Sequence, residues 1–152
     1  MKRNENIIPL SKDHHFGLLC SWKIRQGLKK EIEVSRIRDY ILYFWNHHLK
    51  KHFREEEEIL FLYLEDEYTL RIQEEHRQIQ DIVSQISSSE NIDLFSDFAD
   101  LLEQHIRFEE REWFPHLEEK LEVPALEKIG KELNDIHTEE KDDYEDEFWK
   151  QT

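Results

Sequence analysis

A single cysteine, Cys20, stands among 152 residues, so no intramolecular disulfide can staple the fold, and a reducing compartment is expected. Glycine and proline are equally scarce, with three of each. The chain therefore has few of the residues that build tight turns and left-handed backbone, which points away from strand-and-turn architectures. No apolar run approaches the roughly 18–20 residues needed to cross a bilayer. Met1-Lys2-Arg3-Asn4-Glu5 leads into no continuous apolar leader, so a cytoplasmic protein without membrane attachment is expected. Basic residues are in deficit, 21 against 36 acidic ones, for a formal charge of −15. That balance repels phosphate backbones and no basic aromatic strip offsets it, which argues against nucleic acid as a partner. Also missing are a nucleophile pattern, a phosphate-binding loop and a recognisable specificity pocket, so no defined enzyme follows from the residues.

What the chain does have is 38% charged and 38% hydrophobic residues, the mixture of amphipathic helices. Its length suits one domain over residues 1–152. Apolar residues recurring at threes and fours predict a first helix over about 11–30, with His15, Leu18, Leu19 and Trp22 on one face. A second runs over about 33–64 through Ile37, Ile41, Phe44, His48, His52, Glu56 and Ile59, and a third over 67–87 through Leu70, His76, Ile79 and Val83. Asn91 or Asp93 can cap a fourth, whose stripe reads Leu94, Phe98, Leu102, His105, Glu109 and Trp113, and which ends near 114–120 where Pro115 interrupts. Pro124 opens a shorter helix over about 124–138, carrying Leu126, Ile129, Leu133 and Ile136. The acidic tail 139–152 reads as frayed or disordered, with Phe148 and Trp149 able to dock it. The expected fold is all-α: an up-and-down antiparallel four-helix bundle over about 8–120 with a short extra C-terminal helix.

Two pairs carry the chemistry. His52-Phe-Arg-Glu-Glu56 and His105-Ile-Arg-Phe-Glu109 both place a His and a Glu four residues apart, about 6 Å along one helix face. Both fall on the apolar stripe, where such groups are costly unless paired, hydrogen-bonded or metal-bound. Alternating helix direction sets His15 and His76, early in their helices, level with His52/Glu56 and His105/Glu109, late in theirs. Imidazoles and carboxylates together suit iron, manganese or zinc, and two carboxylates suit bridging between paired ions.

With Asp13-His14-His15, His52-Phe-Arg-Glu-Glu56, Glu75-His76 and His105-Ile-Arg-Phe-Glu109-Glu followed by Phe114-Pro115, in order and in helical phase, the chain resembles the hemerythrin-like family of His-His-Glu cation-binding domains. The resemblance covers roughly residues 8–120. It implies two iron ions in an oxo- or hydroxo-bridged di-iron centre, Glu56 and Glu109 bridging, and His15, His52, His76 and His105 in terminal positions. The histidine-rich donor set and an apolar wall around it favour a small diatomic partner, O2 or NO. Oxygen-carrying members place a further histidine four residues before the third-helix ligand, where this chain has Ile72. The resemblance is closer to the four-His, two-Glu members, although the cysteine-containing regions of the iron-sulphur repair proteins among them are missing. Alternatives are a redox enzyme reducing O2, NO or peroxide, an iron storage or delivery protein, and a metal-free helical interaction domain.

Other candidates read more plainly. His14 rivals His15 by numbering, while His48, one turn before His52, could be a seventh ligand, a group orienting one, or a boundary residue. His47, His116 and His137 read as solvent or packing residues, and Glu55, Glu57, Glu58, Glu110 and Glu112 as a solvated face from which Glu55 or Glu112 could reach the rim of the site. Phe16, Trp45, Phe108 and Trp113 would supply an apolar wall, and Cys20 should lie outside the metal layer with no redox role.

Overall fold

The structure is a computed structural model describing residues 2–152, and among the described residues all regular secondary structure is helical. Helix α1 (Ile8–Lys29) carries Pro9 in its first turn, where the missing N–H removes no helical hydrogen bond. A second rod consists of α2 (Val34–Phe44), a π-helical turn over Trp45–Leu49, α3 (Lys50–Glu58) and a 3-10 turn over Leu60–Leu62. Helix α4 (Glu67–Ile86) is capped by Asp66, whose carboxylate accepts from the Tyr68 and Thr69 backbone N–H groups. Asn91 caps α5 (Ile92–Phe108) through the Asp93 N–H. A π-helical turn over Glu109–Trp113 joins α5 to α6 (Phe114–Lys120), so the rod continues through Pro115 instead of stopping there. A widened turn tolerates the missing proline donor that would break a regular α-helix.

The helices pack as a bundle in which α1 lies against α2 and α5, and α4 against α5 and α2. The buried face of α1 is Leu10, Asp13, His14, Gly17, Cys20, Ser21, Ile24 and Gly27. The expected face of His15, Leu18, Leu19 and Trp22 is therefore rotated by about one residue, and Trp22 is 47% exposed. Small side chains share the inner face with Leu10 and Ile24 because the backbones approach closely there. Ser21 Oγ donates to the Ala99 carbonyl at 2.9 Å, tying α1 directly to α5, and a Cβ on Gly17 would strike the Ile106 side chain.

Residues buried in the bundle form two apolar clusters. One holds Cys20, Ile24, Ile41, Phe53, Ile79, Phe98 and Ile106; the other holds Leu10, Ile59, Ile72, Trp113, Phe114 and Leu117. Helix α7 (Val123–Ile136), opened by Pro124, adds Leu126, Ile129 and Leu133 to the second cluster. The acidic tail is non-helical up to a 3-10 turn at Phe148–Lys150. It is docked: Phe148 and Trp149 are 0% and 6% exposed. The Lys23 ammonium, itself buried, sits 4.0 Å over the Trp149 ring and pairs with Asp142.

Phe148 crosses α1 at Gly27, where an added Cβ would lie 2.8 Å from Phe148 Cε1 and 3.0 Å from Ile37 Cδ1. Gly27→Ala gains about 1 kcal/mol in helix propensity. Crowding between two buried side chains costs about 1–3 kcal/mol, so the expected net result is a melting temperature lower by roughly 2–4 °C, read by circular dichroism.

Candidate metal centre

Between the two apolar clusters lies one polar layer. Along α1 the order is Leu10, then His14, then Cys20; along α4 it is Ile72, His76, Ile79. On the other two rods the order is Phe53, Glu56, Ile59 and Ile106, Glu109, Trp113. His14, His52, Glu56, His76, His105 and Glu109 are all buried, with both glutamates 0% exposed. Two overlapping sets of candidate ligands result: His14, His52, Glu56 and Glu109, and Glu56, His76, His105 and Glu109. Both carboxylates belong to both sets.

Each imidazole turns one nitrogen inward. His14 Nε2 is 2.8 Å from Glu109 Oε1, His105 Nε2 2.9 Å from Glu109 Oε2, His76 Nε2 2.9 Å from Glu56 Oε1, and His52 Nε2 3.1 Å from Glu56 Oε2. Glu109 also comes within 4.0 Å of His52 and 3.9 Å of His76. His52 Nε2, Glu56 Oε2, His105 Nε2 and Glu109 Oε2 are buried yet have no hydrogen-bond partner. They are close enough to attract one another but not aligned as donor and acceptor. Buried polar atoms left unpaired are costly, and a cation between nitrogen and oxygen lone pairs satisfies them all. The donor set thus fits metal ions.

The outward nitrogens complete the design. His52 Nδ1 bonds Asp13 at 2.8 Å, His76 Nδ1 bonds Glu57 at 2.8 Å, His105 Nδ1 bonds Glu75 at 2.7 Å, and His14 Nδ1 bonds Glu110 at 2.6 Å. A carboxylate can only accept, so each Nδ1 carries a proton, and a metal displacing the proton on Nε2 would find that nitrogen's lone pair already aimed inward. Every outer carboxylate adjoins a candidate ligand in sequence but serves the imidazole of a different helix. Helix α1 holds an imidazole of α3, α3 one of α4, α4 one of α5, and the π-turn after α5 one of α1.

Without a cation, protons must balance this layer. Burial opposes protonation of His14, but hydrogen bonds to Glu109 and Glu110 outweigh it and raise its pKa to about 8. Burial likewise opposes the charge on His76, and Glu109, Glu56 and Glu57 overcome it, lifting the pKa to about 10. His52 and His105 shift upward against burial for the same reason. Burial would raise Glu109, yet the facing His105 and further hydrogen bonds hold it well below the usual carboxylate range.

The layer brings together His52, Glu56, His76, His105 and Glu109 as the spacing anticipates, but not His15. That residue is exposed, packs its ring edge-on against Phe16 and faces a surface cavity; the rotated face of α1 presents His14 instead. His14→Ala is expected to weaken metal binding at least about tenfold and His15→Ala to leave it unchanged, by calorimetric titration. His48 faces Glu140 and lines a small cavity beside His52 without joining the ligand sets. The π-turn makes the buried sequence step from Phe44 to Leu49, which takes His48 off the phase of His52. Glu57 and Glu110 are corrections too, since both hold imidazoles instead of forming a merely solvated face. The acid beside each ligand, in Asp13-His14, Glu56-Glu57, Glu75-His76 and Glu109-Glu110, was the signal for them. Cys20 lies in the apolar cluster beyond the layer, where burial pushes its thiol up to about 12.

A family model, the hemerythrin HHE cation-binding domain, matches residues 14–117, a span that begins at His14 and contains every candidate ligand. Comparison with curated proteins and with solved structures finds no match. The match covers more than half of the chain and coincides with the polar layer, and the chain belongs to the hemerythrin HHE cation-binding domain family.

Proposed function

We propose that this protein holds two iron ions between His14, His52, His76, His105, Glu56 and Glu109 and uses them to bind or sense a small diatomic ligand, O2 or NO. The observation that carries the reading is the sharing of Glu56 and Glu109 by both ligand sets, an arrangement that suits two adjacent cations. When bound, iron supplies reversible electron exchange with the small ligand. The chain's own residues bind and orient: the outer carboxylates fix each ring, and the two apolar clusters exclude bulk water. A cavity of about 10 Å³ lined by His14, His52, His105, Phe16, Phe44, Phe53 and Ile106 adjoins the layer, room for about one water-sized molecule. That size and apolar wall favour a diatomic over a bulky substrate. The reading includes an up-down-up-down order of the four rods, which sets all six ligands at one height, and a cytoplasmic setting.

The test is metal quantification on freshly purified protein, joined to its optical spectrum with and without O2 and NO. Two irons per chain and a ligand-dependent spectrum support the reading. Turnover with a reductant would make the protein a redox enzyme, and ready exchange of iron with chelators would make it a storage or delivery protein. Absence of any metal, with His105→Leu stabilising the chain, would leave a helical interaction domain.

A further inference from the structure

A third group of ligating side chains lies beside the paired centre. Asp13 from α1, Glu55 from α3 and His137, immediately after α7, each offer one atom, and these atoms lie within 4.8 Å of one another. Asp13 and Glu55 are 8% and 3% exposed, and the His137 side chain is 9% exposed. This is a buried cluster assembled from three separate elements, and it contains an imidazole as well as acids.

Its two carboxylates are held close together out of water. One Asp13 oxygen accepts from His52 Nδ1 at 2.8 Å. Two carboxylates face His137, which stands between them with Nε2 3.4 Å from Asp13 Oδ1 and Nδ1 2.9 Å from Glu55 Oε1. The Lys51 ammonium, bonded to the Thr138 hydroxyl, also acts on His137, and Lys12 lines the adjoining cavity. A divalent cation would draw the two carboxylates and the imidazole together and offset the repulsion between the two acids.

The geometry agrees in part already. Ligands about 2.1 Å from a tetrahedral ion lie about 3.4 Å apart, and Asp13 Oδ1 to His137 Nε2 is 3.4 Å. Glu55 faces the other ring nitrogen, so binding requires the imidazole or the Glu55 side chain to turn. A cavity of about 540 Å³ opens onto Asp13 and His137, a route for the ion and space for waters to complete its shell. We infer that Asp13, Glu55 and His137 form a third, mononuclear divalent-cation site, of the kind that takes zinc or manganese. It clips α7 onto α1 and α3, and through the two oxygens of Asp13 it adjoins His52. The inference rests on this cluster and does not require the paired ions to be iron.

The test is titration of the metal-free full chain with Zn2+ by calorimetry, with metal counted after desalting. Wild type is expected to retain three ions and His137→Ala two, the lost ion being the one bound through Asp13 and Glu55. Circular dichroism checks the fold, and Glu55→Gln, which keeps the side-chain shape, should give the same loss if His137→Ala fails to fold. Equal counts in wild type and both variants would overturn the inference. Wild type that itself holds only two ions, both surviving the substitutions, would overturn this site and leave the paired centre intact. Wild type that holds only one ion, lost with His137, would keep this site and defeat the paired centre.

Discussion

Glu109→Ala is expected to strip both ions from the paired centre, with affinity falling at least about a hundredfold. Its carboxylate lies 2.8 and 2.9 Å from His14 and His105, and within 4.0 and 3.9 Å of His52 and His76, so it reaches imidazoles of every rod. Removing it deletes a ligand from both sets at once and takes a negative charge from a fully buried layer. Neither ion can then be held by its other set. Glu56→Ala should act in the same direction, since Glu56 is also shared, although in close contact it faces only His52 at 3.1 Å and His76 at 2.9 Å. Metal counting after desalting reads the effect directly. A folded Glu109→Ala protein that keeps two ions would exclude a bridging role.

Removing metal from wild type should lower the melting temperature by roughly 8–16 °C. Ligand held at a thousandfold excess over its Kd stabilises by about 4.1 kcal/mol, and each kcal/mol is worth about 2–4 °C in a chain of this size. The loss should also depend on pH. In the metal-free protein the His76 pKa, about 10, stands above its ordinary value of 6.5. Its protonation therefore stabilises the fold fully below pH 6.5, and that contribution disappears as pH rises toward 10. The metal-free protein should melt at least about 3 °C lower at pH 9.5 than at pH 6.5. The loaded protein should lose less over that interval, because its imidazoles are already deprotonated. Opposite pH trends in paired thermal scans would contradict protons standing in for cations.

Much of this was legible in the residues. His52/Glu56 and His105/Glu109 stand out because an imidazole and a carboxylate one turn apart on an apolar stripe are too costly to bury unless something binds them both. The helix start at Asn91 follows from a side chain that caps free N–H groups. The phase of α1 was not legible from hydrophobicity. Its inner face sets Gly17, Cys20, Ser21 and Gly27 among larger residues such as Leu10 and Ile24, and close backbone contact favours small residues where a periodicity argument looks for large ones. That same displacement exchanges His15 for His14. The two π-turns escape any regular periodicity, since each inserts a residue into the turn, and the first of them moves His48 out of line. The role of His137 depends on where α7 lands, a long-range contact that no local spacing encodes.

The circle of outer carboxylates has a consequence for how the molecule comes together. Its last link, Glu110 to His14, joins positions 96 apart along the chain, while the link from Glu57 to His76 spans 19 and that from Glu75 to His105 spans 30. Short loops close at lower entropic cost than long ones, so the final ring to be steadied is the one on the first helix. A nascent chain lacking its later helices would offer a cation an incomplete grip, and loading would become favourable only when the first and last rods meet. Uptake of a cation by this layer would thereby report completion of the fold.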